Sequence, residues 1–146
     1  MRTVLPADLC QMLRIGALTV ANHHHHVYLR ACPNVVHIQE LVSPAEQEGR
    51  QVVIIGEPRH PEVMGLASWC VHPLVFQGPE AVAEWVKNGD FQPEMPVSIV
   101  AQTTCIRELF ESSCKILKKE CTNVKIFDTI CYATRKRQNE AAEIAA

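Results

Sequence analysis

The stretch "QVVIIG", residues 51–56, decides the fold. It is a continuous apolar run rich in β-branched residues, with no alternation of polar and apolar positions. Such a run reads as a strand buried on both faces, and two-sided burial is the mark of a parallel sheet covered by helices. Two more runs of this kind follow, "PVSIVAQTT" at 96–104 and "NVKIFDTI" at 123–130. "PLVF" at 73–76 reads as a short strand and "ALTVAN" at 17–22 as another.

Helical patterns lie between the strands. "GPEAVAEWVKNG" has proline at its start and glycine at its stop. "CIRELFESSCKILKKEC" places Ile106, Leu109, Phe110, Cys114 and Leu117 on one stripe, with charges elsewhere. Residues 34–42 place Val35, Ile38, Leu41 and Val42 on one face, and Pro44 is expected to end or kink that helix. Further helices are expected at 6–15 and over "ATRKRQNEAAEIAA" at the end of the chain. "HHHH" at 23–26 fits no period and reads as loop. Alternating strands and helices give an α/β fold: a mostly parallel sheet flanked by helices.

At 146 residues and 47% hydrophobic content, the chain has the size and apolar share of one globular domain. A net charge of −2 carries no polyanion-binding signature, so nucleic acid is not an expected partner. The basic cluster "RKR" at 135–137 reads as a solvated helix face, and its functional alternative is a contact for an acidic redox partner. No stretch is apolar and long enough to span a membrane, and the first residues lack the build of a secretory signal; a cytoplasmic location is expected. Seven cysteines occur without a C-x-x-C pair, so common zinc spacings are absent. Cys105, Cys114 and Cys121 read as packing residues and Cys70 as structural. The histidine run, with Cys32, could hold zinc or nickel, but its composition favours a solvated loop.

Polar constellations directly follow the buried strands. They are "EPRHPE" after 51–56, "QTT" after 96–101 and "DTICYAT" after 123–127, and Cys32 opens the helix at 34–42. In a parallel sheet these groups meet at the carboxyl rim, where ligands of α/β sheets bind. Singly, His60 and Glu62 in "RHPEVMG" read as a surface turn, and Thr103 as a strand-end hydroxyl. Together, with two cysteines, they read as a site for an anionic substrate and a proton donor.

"ACPNVVH", "VVIIGEPRHPEVMGLASWC", "VAQTT" and "FDTICYATRKRQNEAAEIA" resemble the 4-hydroxy-3-methylbut-2-enyl diphosphate reductase family (IspH/LytB). The order and spacing from Cys32 to the C-terminus are similar to the central domain of that three-domain α/β reductase. The resemblance implies an iron–sulfur oxidoreductase, the last step of the methylerythritol phosphate route. Its reaction is reductive dehydroxylation of an allylic diphosphate to isopentenyl and dimethylallyl diphosphate. It implies a 4Fe-4S cluster held by three cysteines, with ferredoxin or flavodoxin as electron donor. Cys32 and Cys131 match the second and third cluster ligands. His60 and Thr103 match substrate-binding positions, and Glu62 matches the catalytic carboxylate that relays a proton to the leaving hydroxyl.

The chain departs from the family pattern in its first part. The glycine–phenylalanine–cysteine motif that supplies the first cluster ligand is not found, and Cys10 in "ADLCQML" does not match it. The segment "HHHHVYLRACP" stands where the family has aspartate–alanine–threonine–cysteine–proline. The serine–asparagine motif of the third domain is also not found. The expected organisation is an irregular segment at 1–31, the α/β central domain at 32–130, and at 131–146 the start of a connection to a third domain, the whole truncated at both ends. The alternative reading is an inactive α/β module that binds a phosphorylated metabolite or a partner chain.

Overall fold

A computed structural model describes residues 17–22, 25–30, 32–88 and 91–145. The expected helix at 6–15 and Cys10 lie outside them. Four strands form one parallel sheet: β3 (Gln51–Ile55), β4 (Leu74–Phe76), β5 (Val97–Ala101) and β6 (Val124–Ile126), in the order β4-β3-β5-β6. Separately, β1 (Ala17–Asn22) and β2 (His25–Arg30) pair as an antiparallel hairpin, with Ala17 opposite Arg30 and Asn22 opposite His25. His25 and His26 therefore belong to a strand, which corrects the reading of 23–26 as loop. His23 and His24 lie outside the described residues.

The helices are α1 (Pro33–Gln47), α2 (Pro61–Ala67), α3 (Pro79–Lys87), α4 (Arg107–Glu120) and α5 (Tyr132–Ala145). Neighbouring residues of β3 serve opposite cores, since side chains alternate along a strand. Val53 and Ile55 pack with Val82 of α3 and with Phe110, Cys114 and Leu117 of α4. Val52 and Ile54 pack with Ile38 and Val42 of α1 and with Val63 and Leu66 of α2. All four strand residues are buried. The unbroken apolar run at 51–56 is the sequence consequence of this two-sided burial.

Pro44 does not end α1, the first of the two outcomes expected of it; the helix continues to Gln47. A proline inside a helix removes one donor, to the carbonyl four residues back. The last turn is nevertheless held, because Ala45 is buried in the core and Glu46 accepts backbone N–H bonds from Val71 and His72 at 2.7 Å each. The helix stops at Gly49, whose φ of 75° lies in the left-handed region. There the Gly49 N–H reaches the Glu46 carbonyl and the Arg50 N–H the Ala45 carbonyl, a Schellman stop.

Arg50 then enters the protein beneath the amino ends of the strands. Its guanidinium donates to Ser98 Oγ at 2.7 Å, to Asn123 Oδ1 at 3.1 Å, and to the Val97 and Asn123 carbonyls. One buried side chain thereby joins the starts of β3 and β5 to the segment leading into β6. The opposite, carboxyl edge is left for the loops that carry the site.

Candidate functional site

Parallel pairing sends β3, β5 and β6 out at the same rim, each into a loop that leads to a helix. The first loop, 56–60, runs against the second, 102–106. Gly56 makes this approach possible: a Cβ there would lie 2.8 Å from Gln102 Cβ and 3.0 Å from Val63 Cγ2. Gln102 fastens the two loops, since its Oε1 accepts the Glu57 N–H at 3.0 Å and its Nε2 donates to Thr104 Oγ1 at 2.9 Å.

His60 and Glu62 sit at the start of a helix rather than in a surface turn. His60 is the N-cap of α2, Pro61 its first residue, and the His60 Nδ1 accepts the Glu62 N–H at 3.2 Å. This bond leaves the His60 Nε2 as the ring atom available to a ligand. A helix of seven residues is too short for periodicity to reveal, but proline at its first position followed by an acid was a readable start signal.

Thr103 is the hub. Its N–H donates to Glu62 Oε1 at 2.6 Å and its hydroxyl to Glu62 Oε2 at 2.8 Å. Its carbonyl accepts the Cys131 N–H at 2.9 Å. Thr129 braces the same loop pair: its hydroxyl accepts the Ala101 N–H at 2.8 Å and donates to the Ala101 carbonyl at 2.7 Å. His60, Glu62, Thr103 and Cys131 are therefore joined by one continuous chain of hydrogen bonds.

Cys32 reaches this group through its helix. It is exposed and precedes α1, and Asn34 in the first turn of α1 donates from Nδ2 to Cys131 Sγ at 3.3 Å. Cys131 in turn precedes α5. The backbone N–H groups of Thr134 and Ala133, with help from Asn34, hold its thiol below the ordinary value for cysteine. The other cysteines behave oppositely. Burial pushes Cys70 up to about 12, and Cys114 and Cys121 up to about 11; it also raises Cys105. Cys105, Cys114 and Cys121 are buried and Cys70 is half-buried against the core, in keeping with packing or structural residues. Among the described residues no group of three or more histidine, cysteine, aspartate or glutamate side chains is set to hold a metal ion. The side chains of the histidine run lie outside the described ones.

Asn34, Gln102 and Thr129 were not singled out by sequence reasoning. All three lay within stretches already noted for the family resemblance, and Gln102 and Thr129 could have been suspected from their place after strands. Asn34 meets Cys131 across 97 positions of sequence, and no local pattern encodes such a contact.

The family model for LytB protein matches residues 17–146. Among curated proteins, the 4-hydroxy-3-methylbut-2-enyl diphosphate reductase of Alkaliphilus oremlandii is 39% identical over 118 residues, covering 78% of this chain and 39% of the relative. The enzyme of the same name from Clostridioides difficile is 34% identical over 114 residues, covering 78% and 40%. A solved structure of (E)-4-hydroxy-3-methyl-but-2-enyl diphosphate reductase superposes with a TM-score of 0.62 at 34% identity, covering 79% of this chain and 40% of the other. A reductase structure from Plasmodium falciparum shares the fold, with a TM-score of 0.68 at 24% identity. The chain thus spans about two fifths of the length of these two curated relatives. Family match, relatives and fold agree: the chain belongs to the LytB protein family.

Proposed function

We propose that the chain supplies the central α/β part, residues 32–130, of a 4-hydroxy-3-methylbut-2-enyl diphosphate reductase. Residues 131–146 would lead toward a further domain. In this reaction an allylic C–O bond breaks and a C–H bond forms; two electrons and two protons enter, and the hydroxyl leaves as water. The observation that carries the reading is the pair of hydrogen bonds between Thr103 and Glu62 beside Cys131.

Hydroxide is a poor leaving group, so the departing oxygen needs a proton. Glu62 is the donor in this reading, and Thr103 holds its carboxyl in one orientation so that little is lost to reorientation at the moment of transfer. His60 presents Nε2 to the diphosphate: with Nδ1 accepting the Glu62 N–H, the ring carries its proton on Nε2 and can donate it to a charged phosphoryl oxygen.

An iron–sulfur cluster, when bound, would supply the electrons and a Lewis-acidic iron. The donor chemistry fits in part: Cys32 is exposed, and the Cys131 thiol is lowered toward the thiolate that iron requires. These two fill two of the three positions of a three-cysteine set. A third thiolate would have to come from outside the described residues. An acidic electron carrier such as ferredoxin or flavodoxin is the expected donor, in a cytoplasmic setting. No described helix is long and apolar enough to cross a membrane.

The two-thiolate count favours one second reading, an inactive module that keeps the fold and binds a phosphorylated metabolite at His60. Anaerobic reconstitution with iron and sulfide separates the two. Brown protein that the double substitution Cys32→Ser, Cys131→Ser renders colourless supports the reductase. Colourless wild-type protein that still binds inorganic pyrophosphate supports the module.

A further inference from the structure

We propose that Asn34 is a positioning residue that clamps the Cys131 sulfur to the turn carrying Cys32. This rests on the reading of Cys32 and Cys131 as parts of one site. The two cysteines come from opposite ends of the sequence and each stands immediately before a helix, Cys32 before α1 and Cys131 before α5. Nothing covalent holds those two helix starts at a fixed separation. The Asn34 Nδ2 donates to Cys131 Sγ at 3.3 Å, and among the described residues it is the one side chain from outside the turn that opens α5 to hydrogen-bond this sulfur.

The placement of Asn34 is fixed by its neighbours. Pro33 occupies the first position of α1, and its ring sets the backbone there. The Cys32 carbonyl accepts N–H bonds from Val35 at 2.9 Å and Val36 at 3.1 Å. Asn34 is therefore held in the same closed turn as Cys32, and whatever its amide grips is held to that turn. Cys131 is fixed on its own side by the 2.9 Å bond from its N–H to the Thr103 carbonyl. The amide thus completes a path from Cys32 through Cys131 and Thr103 to Glu62. A sulfur that accepts an N–H bond also carries less charge, which is one of the ways a protein tunes a sulfur-ligated metal centre.

The position asks for a side chain that donates. Aspartate has the same shape and only accepts, so Asn34→Asp removes the donor and places a carboxylate against the sulfur. Leucine removes both donor and charge. Glutamine keeps the amide on a stem one methylene longer.

The test uses the reduced, metal-free full chain and a short thiol–thiol crosslinker, dibromobimane. The Cys32–Cys131 product is quantified by peptide mass spectrometry and fluorescence. The parent should crosslink at these two cysteines. Asn34→Asp and Asn34→Leu should lower that yield about fivefold, the population change expected from losing one ordinary hydrogen bond. Asn34→Gln should recover most of it, and the thermal midpoints of all variants should stay together. Equal yields in parent, Asp and Leu variants would overturn the role of Asn34 while leaving the shared site intact. Loss of yield in all three variants with lowered midpoints would overturn it as well, since that is the behaviour of a merely structural residue. Absence of the crosslink in the parent would overturn the shared site itself, and the clamp with it.

Discussion

Thr103 grips both oxygens of Glu62, the backbone N–H taking one at 2.6 Å and the hydroxyl the other at 2.8 Å. The two contacts differ in what they permit. An N–H can only donate, whereas a hydroxyl can rotate and accept. Glu62→Gln can therefore keep the pair, with its oxygen on the Thr103 N–H and its NH2 donating to the Thr103 hydroxyl. Urea denaturation should show Glu62→Gln within about 1 kcal/mol of the parent, while Glu62→Ala should lose about 1–3 kcal/mol by stranding the Thr103 donors. On the proposed reading, a reductase whose central part is this chain should lose about 10²- to 10⁴-fold in turnover on Glu62→Gln, the usual worth of a positioned acid.

Gly56 provides a second check on the rim. A methyl group there would lie 2.8 Å from Gln102 Cβ, and Gln102 cannot withdraw without releasing the Glu57 N–H. Gly56→Ala should destabilise the fold by about 1–3 kcal/mol, the range for overpacking a tight contact. Amide hydrogen exchange should locate the damage in 57–60 and 102–105 rather than in α1. Uniform protection across both loops in the variant would show that the approach is not tight.

The thiols raised by burial lower stability as pH rises into the alkaline range. A thiol raised by burial keeps its proton longer in the folded state than in the unfolded chain. Its stabilising effect is complete below the ordinary value of 9.0 and is lost as pH rises toward about 11 for Cys114 and Cys121 and about 12 for Cys70. Cys131 has the opposite sign: its lowered value gives stability that is complete above 9.0 and lost as pH falls through that lowered value. The urea midpoint should therefore decline above 9.0. Cys114→Ala, though less stable overall, should show a shallower decline than the parent over the same range. An equal slope would remove Cys114 from the account.

The parallel sheet was legible because Val52, Val53, Ile54 and Ile55 must all be apolar when both faces are covered. The α4 stripe was legible in large part, since Phe110, Cys114 and Leu117 recur at helical spacing and are buried; Ile106, expected on the same stripe, instead precedes the helix and is exposed. Pro44 misled as a stop signal, because a proline signals only a lost donor and says nothing of the burial of Ala45 that keeps the turn formed. His60 and Glu62 were legible as polar groups after a strand. Their place at a helix start was obscured by the brevity of α2. The bond from Asn34 to Cys131 had no sequence signal at all, because it depends on the folded path of both ends of the domain.

Arg50 belongs to the same illegible class, and it yields the last prediction. By type it reads as a surface cation after a glycine turn, yet it is 6% exposed. Among the described residues it pairs with no carboxylate; its partners are the Ser98 hydroxyl, the Asn123 side chain and the Val97 and Asn123 carbonyls. A guanidinium is suited to this because its five donors form a rigid fork. Arg50→Met fills much of the same volume but strands buried acceptors on β5 and at the entry to β6. The loss should be about 1–3 kcal/mol for those unsatisfied groups. Arg50→Lys should recover only part of it, since an ammonium cannot reach from Ser98 to Asn123 in one plane. Hydrogen exchange at Val97 and Val124 should rise in both variants, with the Thr103–Glu62 rim at the far end of the strands little changed. Stability of Arg50→Met equal to the parent would show that water replaces the fork at no cost.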